Sequence, residues 1–469
     1  MKQLTIILLL VSIFLTACGA KPASRTPDPK STPTKLANPR VTIRPPQRTI
    51  APATDLPLST DGLSGLRVQL WHGLDGNTDA VLSQMAAEFS QKNEWGITVD
   101  IFSQGNLSTL MQAVNTALRT PQQPDVVVAL PENAQGWDAQ SLVADLAPYI
   151  RQPKLGLSAE EIKDIPAAFW EQGSVGTKQL SIPALRTGRF LFYNVSFAKS
   201  LGFNTPPTTA EEFRTQACAA NASWKTDEDL TNDGFGGLVI EDPISDLDSP
   251  WTAYAWLRSQ GGEVFADGNF AFSTPENQKA INFLAGLRNE GCAWLSNATP
   301  GYQALAEHKA LFVAGSLQNL SQQRAALAGL PDQWTVIPFP GATPAVVVYG
   351  PDYVVLKSKQ ERQLAAWLFM RWMLSPENQV RWSRETSLFP MRTSAMDKLN
   401  IRSVNPQWAA AFDLLPKAQT YPQVALWSKA RLVLGDGFFQ LFQLSPSEAD
   451  VNRTLKIMDD TVKDLGDDE

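Results

Sequence analysis

Residues 66–71 read Leu-Arg-Val-Gln-Leu-Trp, and His72-Gly73 follows directly. The alternation of apolar and polar side chains predicts a β-strand with one buried face. A helix is expected to begin near Asn77 or Thr78, because apolar residues then recur at 82, 85, 86 and 89. Residues 97–102 and 125–130 are predicted to be two further strands, with a helix over 107–118 between them. This βαβαβ order predicts an α/β fold with a parallel, doubly wound sheet.

The carboxyl ends of these strands are the first place to expect a binding site. In open parallel sheets, ligands bind in the crevice outside those ends. The rule points to 71–73, 103–105 and 130–133.

The N-terminus has the pattern of a secretory signal. Lys2 precedes an apolar run over 6–15, and Thr16-Ala17-Cys18 follows it. The run is too short to cross a hydrocarbon core, which needs about 20 apolar residues. The cysteine at this point resembles the lipobox of bacterial lipoproteins, in which it is lipidated and becomes the new N-terminus. We therefore expect residues 1–18 to be a signal peptide and Cys18 to anchor the protein to the outer face of the cell membrane. An ordinary signal peptide with a chance cysteine is the alternative.

Residues 19–65 are rich in Pro, Thr, Lys and Arg and contain no aromatic residue. Such a composition predicts a disordered, partly polyproline linker, because it cannot bury enough apolar surface to offset its ordering entropy. Its basic residues are expected either to attract anionic lipid headgroups or simply to keep a spacer extended.

Composition limits the remaining possibilities. Roughly 400 residues follow the linker, enough for two domains with their own cores. The net charge of -7 argues against nucleic acid as a partner. Beyond Cys18 the chain contains only Cys218 and Cys292. In an oxidising compartment these predict a single disulfide, with two free thiols as the alternative.

Short blocks follow one another in a defined order over residues 66–465. They are Leu70-Trp71-His72-Gly73, Glu88-Phe89, Ser181-Ile182-Pro183-Ala184, Leu191-Phe192-Tyr193-Asn194, Leu201-Gly202-Phe203, Pro206-Pro207-Thr208-Thr209, Glu211-Glu212-Phe213, Ser259-Gln260-Gly261-Gly262, Phe272-Ser273-Thr274-Pro275-Glu276, Ala365-Ala366-Trp367, Leu374-Ser375-Pro376-Glu377-Asn378-Gln379 and Phe389-Pro390-Met391-Arg392. The series resembles the family-1 extracellular solute-binding proteins of ABC importers, the group that contains maltose-binding protein.

The resemblance implies a two-lobe periplasmic-binding-protein fold with three hinge strands and no cofactor. The first lobe would comprise 66–186 and 338–388, and the second 187–337 and 389–469. A hinge near 185–188, with Gly188 absorbing backbone rotation, would close the lobes around a ligand. The protein would be a monomer whose closed form is recognised by ABC permease subunits.

The abundance of tryptophan, 14 residues against seven tyrosines, suggests a carbohydrate ligand. Sugar rings present apolar C–H faces and a rim of hydroxyls, so an aromatic platform beside polar groups suits them. The aromatic candidates are Trp71, at a strand end, Trp251, at a predicted helix start, and Trp427, through the resemblance. The polar candidates are His72, Asp75, Glu132, Asn133, Glu241, Asp242 and Tyr349. The resemblance adds Gly315 and Ser316, although Leu317 stands where many relatives carry tryptophan. For each of these residues, a role in the core is the alternative.

Residues 229–234 resemble the start of an EF-hand loop. Asp229, Thr231 and Asp233 supply oxygens at positions 1, 3 and 5, and Gly234 follows. Ile240 occupies position 12, where a bidentate acid is needed, so an ordinary acidic turn is the favoured interpretation.

No catalytic motif is evident. His-Glu-x-x-His and Gly-x-Ser-x-Gly do not occur, which argues against an enzyme.

The sequence therefore predicts an extracytoplasmic solute-binding lipoprotein of an ABC importer that captures a mono- or oligosaccharide by hinge closure. A polyamine or other cationic solute is the runner-up, since acidic and aromatic side chains could bind it. A sensory lipoprotein with the same fold is a third hypothesis.

Overall fold

A computed structural model describes residues 58–226, 228–241, 248–296, 299–443 and 445–467. The strands are β1 Arg67–His72, β2 Thr98–Ser103, β3 Val126–Ala129, β4 Ser174–Val175, β5 Lys178–Gln179, β6 Ser181–Pro183, β7 Thr187–Asn194, β8 Leu238–Glu241, β9 Phe265–Ala266, β10 Asn269–Phe270, β11 Ala293–Ser296, β12 Phe312–Gly315, β13 Trp334–Ile337, β14 Val346–Tyr349, β15 Asp352–Val355 and β16 Ala418–Gln419. The helices are α1 Gly76–Lys92, α2 Leu107–Ala117, α3 Pro131–Ala139, α4 Ala147–Ile150, α5 Ala159–Lys163, α6 Ala167–Trp170, α7 Val195–Ser200, α8 Ala210–Trp224, α9 Ser249–Ser259, α10 Pro275–Asn289, α11 Gly301–Ala306, α12 Leu320–Ala326, α13 Gln360–Met373, α14 Pro376–Thr386, α15 Ala395–Leu399, α16 Pro406–Asp413, α17 Trp427–Gln443 and α18 Glu448–Asp467.

The first lobe is built on a five-stranded sheet in the order β2-β1-β3-β15-β6. Strand β1 pairs in parallel with β2 and β3, which confirms the predicted βαβαβ unit. Strand β15 returns from far along the chain and pairs antiparallel with both β3 and β6. Strand β3 is buried throughout, as its continuous apolar run predicts.

The second lobe is built on a seven-stranded sheet in the order β11-β8-β12-β7-β14-β16, with β13 also pairing with β7. Strand β8 is parallel to β11 and β12, whereas the long strand β7 runs antiparallel to its neighbours. The predicted two-lobe α/β fold is confirmed.

The chain passes between the lobes at places that differ in part from the sequence prediction. The first crossing, between β6 and β7, falls where it was expected. The second lies at Gly350-Pro351 and not near 338, because β14 pairs with β7 of the second sheet. The third lies beyond 389. The amide of Thr393 donates to the carbonyl of Asp164, so the chain there still belongs to the first lobe. Helix α15 packs on α14, and α16 is the first element to reach β13.

Gly188 does not have the backbone freedom that the hinge prediction assumed. It lies inside β7, opposite Val348, and a Cβ at this position would come within 2.5 Å of the Phe190 ring. Gly350, at the second crossing, has a positive φ of 148°, a backbone conformation that favours glycine.

The predicted disulfide is present between Cys218, on α8, and Cys292, just before β11, with the Cα atoms 4.5 Å apart.

The signal peptide, Cys18 and most of the linker lie outside the described residues. The end of the predicted linker is structured, because Leu63 is fully buried in the core of the first lobe. Within the described part of the chain, no helix combines the length and the apolar character needed to cross a membrane.

Candidate ligand-binding cleft

A cleft with a volume of about 310 Å³ lies between the lobes. The first lobe and its crossing contribute Gly73, Leu74, Asp75, Thr78, Leu107, Val128, Leu130, Leu185, Gly350, Pro351 and Leu388. The second lobe contributes Thr187, Asp248, Trp251, Gln318, Tyr349 and Arg431. The first-lobe positions cluster at the carboxyl ends of β1 and β3, where ligands bind in open α/β sheets.

Aromatic rings form the wall on the second lobe. Trp251 lies in the first turn of α9, which begins at Ser249 and has Pro250 as its second residue. Its ring stacks on that of Tyr349, with the ring centroids 4.6 Å apart and the ring planes inclined by 13°. The rings of Tyr421 and Trp427 pack behind it, with centroid distances to Trp251 of 4.8 and 6.0 Å. Trp251 is 4% exposed, so it meets the cleft at an edge of a packed cluster and not as a freestanding platform.

Arg431, on α17, covers part of Trp251. Its guanidinium carbon lies 5.8 Å from the centroid of the indole ring, a cation–π arrangement. Its side chain is 17% exposed, and its Nε has no hydrogen-bond partner among the described residues. This Nε lies 3.6 Å from Oε1 of Glu132, across the interlobe boundary. Arg431 therefore lies in the cleft wall with hydrogen-bonding capacity unused.

Glu132 lies in the first turn of α3 and is buried. The hydroxyl of Tyr421 donates to its Oε2 at 3.4 Å, whereas Oε1 accepts no hydrogen bond from any residue that the structure describes. Burial raises the pKa of this carboxyl, and the positive charge of Arg431 offsets part of the shift. Burial likewise raises the pKa of the Tyr421 phenol. Two elements of different lobes thus share a small polar contact behind the cleft.

The two acidic residues of the cleft differ in their surroundings. Asp75 precedes α1 at its N-cap position and is exposed. Asp248 lies 3.7 Å from the guanidinium of Arg189, whose Nε donates to the hydroxyl of Thr252 at 2.7 Å. Asp248 is therefore partly neutralised within its own lobe, while Asp75 faces solvent.

Several sequence candidates pack on or within the core and do not line the cleft. Trp71 is partly buried and packs against the apolar cluster around α2 and β3. His72 is fully buried, its Nδ1 accepts from the amide of Leu74 at 3.1 Å, and burial lowers its pKa. Its Nε2 lies 3.3 Å from Asp79 without hydrogen-bond geometry. Trp427 is fully buried behind Trp251.

Other candidates have structural partners beside the cleft or away from it. Asn133 follows Glu132 on α3, and its amide oxygen finds no hydrogen-bond partner in the described ranges. Glu241, at the end of β8, accepts from the amide of Gly301 at 2.8 Å. A Cβ at Gly315 would meet the Phe192 ring at 2.5 Å, so this glycine allows close packing. Ser316 donates through its amide and its hydroxyl to Asn319. Asp242 lies outside the described residues.

Arg431, Asp248 and Gln318 line the cleft but were not predicted from the sequence. Arg431 could have been found from Trp427, because four residues along a helix place two side chains on one face. Gln318 lies two residues beyond Ser316, in the short 3₁₀ turn Leu317–Asn319. Gln318 lines the cleft, whereas the predicted Gly315 and Ser316 lie just before it in the chain. Asp248 had no distinguishing sequence signal.

The EF-hand-like segment forms a local turn. The amide and the hydroxyl of Thr231 donate to Oδ1 of Asp229, at 3.0 and 2.6 Å, and these bonds lower the pKa of the aspartate. The backbone carbonyl of Asp233 accepts from Asn221. The favoured interpretation, an acidic turn, accounts for this geometry.

Residues 84–417 match the family model of bacterial extracellular solute-binding proteins. The chain belongs to this family. The sn-glycerol-3-phosphate-binding periplasmic protein UgpB of Salmonella typhimurium is 19% identical over 352 residues, which cover 74% of this chain and 78% of that protein. A probable ABC transporter-binding protein of Deinococcus radiodurans is 22% identical over 333 residues, covering 66% and 77%.

Solved structures agree with the fold. The sugar-binding protein MalE from Xanthomonas citri superposes with a TM-score of 0.71 at 18% identity, over 85% of this chain and 98% of that one. UgpB from Mycobacterium tuberculosis, in complex with glycerophosphocholine, gives a TM-score of 0.68 at 19% identity, over 86% and 99%. The predicted family resemblance is confirmed. This protein is an ABC-transporter-type solute-binding protein that acts outside the cytoplasm.

Proposed function

We propose that this protein captures a small carbohydrate in the interlobe cleft and delivers it to an ABC permease. The observation that carries the proposal is the wall formed by Trp251 on Tyr349, with Asp75, Gln318 and Arg431 around it. An aromatic edge with polar groups around it complements the apolar faces and hydroxyl rim of a sugar. The sugar-binding protein among the structural neighbours supports the same ligand class.

The volume of the cleft favours a small solute. At about 310 Å³ it lies at the lower end of the range for ligand pockets, which is roughly 300–1,000 Å³. A compact ligand of one or two sugar rings suits this space better than a longer oligosaccharide. Rotation of the lobes about the crossings would enclose it.

A phosphate-bearing polyol is the second candidate. Arg431 lies in the cleft wall, and within the described part of the chain its Nε is unpaired. A guanidinium can bind a phosphate through two parallel hydrogen bonds. The UgpB relatives, named for sn-glycerol-3-phosphate, support this candidate. The polyamine hypothesis rests on Asp75 and Asp248, and it is weakened by the proximity of Arg189 to Asp248.

The N-terminal segment belongs to the same proposal. Lipidation of Cys18 would tether a monomeric binding protein to the outer face of the membrane, near its permease. Changing Cys18 to Ser is expected to move the protein from the membrane fraction to the soluble fraction, and an unchanged membrane fraction would contradict the anchor.

Thermal unfolding tests the ligand class. Protein without residues 1–18 is measured with maltose, glucose, sn-glycerol 3-phosphate, glycerophosphocholine, spermidine and an amino-acid mixture. A ligand at about 100 times its dissociation constant adds roughly 2.7 kcal/mol of stability. A saturable shift with a sugar supports the first candidate, and a shift with a phosphate ester alone supports the second. A spermidine shift, or no shift from a folded sample, would contradict both. The latter result would favour the sensory hypothesis.

A further inference from the structure

Arg186, at the first interlobe crossing, is completely buried and reaches the second crossing with its side chain. Its Nη1 donates to the carbonyls of Leu185 and Gly350, each at 2.9 Å, and to that of Pro351 at 3.1 Å. One nitrogen of a single guanidinium therefore binds backbone oxygens of both crossings.

The other terminal nitrogen ties this group to the first lobe. Nη2 donates to the carbonyl of Phe169, at the end of α6, at 3.1 Å, and forms an ion pair with Asp352. The second carboxylate oxygen of Asp352 accepts from Ser181 at 2.6 Å. The carbonyl of Arg186 in turn accepts from the amide of Phe389 at 3.0 Å. The side chain and the backbone carbonyl of Arg186 thus both form hydrogen bonds with segments that meet between the lobes.

These contacts lie where each crossing has left one sheet and has not yet joined the other. In the first sheet, Pro183 is paired with Asp352, and in the second sheet Thr187 is paired with Tyr349. Residues 184–186 and 350–351 lie between these pairs, three residues opposite two. Buried carbonyls without partners are costly, so a donor must come from elsewhere. The guanidinium supplies it, together with the amides of Ala184 and Leu185, which donate to Pro351 at 3.2 Å.

The same segments form the floor of the cleft. Leu185 and Thr187 on one crossing, and Gly350 and Pro351 on the other, line it, whereas Arg186 lies behind them. The crossings approach closely, since a Cβ at Gly350 would come within 2.4 Å of the Leu185 carbonyl. Any shift of one crossing against the other would therefore change the shape of the floor.

We propose that Arg186 is a positioning residue that locks the first two crossings into one body, so that the cleft floor keeps its shape while the lobes rotate. A buried ion pair contributes little to net stability compared with apolar residues of similar volume. Its value here is geometric, because the planar guanidinium satisfies several oxygens only in one arrangement.

The test compares Arg186→Lys and Asp352→Asn with a matched control, Arg392→Lys. Arg392 is equally buried, but its partners, the carbonyls of Leu374 and Glu161, belong to the first lobe alone. Backbone hydrogen exchange is measured by mass spectrometry on the unliganded proteins, over peptides that span 183–190 and 346–353. Small-angle X-ray scattering gives the radius of gyration. Neither measurement needs a ligand, so neither depends on the proposed function.

We expect Arg186→Lys to accelerate exchange in those two peptides by about tenfold, because exchange reports local opening directly. The radius of gyration should also rise, because crossings that are no longer joined allow the lobes to move apart. Asp352→Asn, which keeps the shape of the side chain, should act in the same direction and serves if Arg186→Lys does not fold. Arg392→Lys should lower the melting temperature while leaving both peptides at the wild-type rate. Equal exchange in the Arg186 and Arg392 variants would overturn the proposal and make Arg186 an ordinary stabilising residue.

Discussion

The two walls of the cleft are built from different chemistry. The wall on the first lobe consists largely of aliphatic side chains and backbone, with Leu74, Leu107, Val128 and Leu130 prominent. The wall on the second lobe carries Trp251, Tyr349, Asp248 and Arg431. Aromatic and charged groups discriminate between ligands, whereas an aliphatic wall mainly excludes water. The difference suggests that the second lobe recognises the solute and that the first lobe covers it.

Replacement of Trp251 by Leu should have the largest effect on binding. Removing the indole deletes the aromatic edge and the support of Arg431, so affinity should fall about 30-fold or more, or roughly 2 kcal/mol. Titration calorimetry with the solute identified in the thermal screen gives the value. Trp408→Leu is the matched control, because Trp408 is also fully buried but does not line the cleft. Equal losses of affinity in both variants would remove the special role of the aromatic wall.

Replacement of Arg431 by Met separates the two ligand candidates. If the solute carries a phosphate, loss of the guanidinium should lower affinity about tenfold, since hydrogen bonds to charged groups are worth roughly 1.5–3 kcal/mol. A neutral sugar should lose about threefold or less. The exposed Arg453→Met on α18 is the control. Unchanged affinity for sn-glycerol 3-phosphate would exclude Arg431 as its binding group.

Replacement of Glu132 by Gln tests the contact between the walls through pH. Burial raises the pKa of Glu132 in the folded protein above its unfolded value, about 4.3. Its contribution to stability is therefore full below that value and is lost as the pH rises through the raised pKa. Glutamine stays neutral, so the variant should gain stability relative to the wild type as the pH rises, by about 1.4 kcal/mol for each unit of pKa difference.

Denaturant unfolding between pH 4 and pH 8 measures this difference for Glu132→Gln. Glu276→Gln, at an exposed position on α10, is the control. A difference between wild type and Glu132→Gln that stays constant with pH would show that the carboxyl titrates normally.

Replacement of Leu107 by Ala should have the smallest effect. Leu107 is partly buried at the start of α2 and touches the cleft with an aliphatic surface. Loss of part of that surface should weaken binding about threefold, less than 1 kcal/mol. Leu432→Ala, beside Arg431 but 54% exposed and outside the cleft, is the control. A loss as large as that of Trp251→Leu would mean that the first wall recognises the solute as well.

The local elements were predictable because they depend on short-range patterns. The alternation in 66–71 and the apolar run at 125–130 are strands, and Trp251 lies at a helix start as predicted. The disulfide also followed from the sequence, since two cysteines in one lobe permit a single intramolecular bridge. The lobe boundaries were less accurate, because the pairing of β14 with β7 depends on long-range hydrogen bonds that no local pattern encodes.

The residues of the candidate site were likewise predicted only in part. Asp75, Trp251 and Tyr349 were predicted and line the cleft. Trp71, predicted from its place at a strand end, and Trp427, predicted through the resemblance, pack against the apolar cores instead. A tryptophan at a strand or helix end has the same local signature in either situation, and only the neighbouring elements decide whether its ring meets solvent.

The amino-acid sequence by itself determined the alternating α/β plan, the two-lobe family and the disulfide, since these follow from residue spacing, the order of short blocks and the count of cysteines. The tertiary structure alone decided that Arg431 covers Trp251, that Glu132 faces it across the lobes, and that Arg186 joins the two crossings. These contacts bring together residues separated by more than 150 positions. Their geometry is set by how the sheets and helices pack, which residue spacing along the chain does not specify.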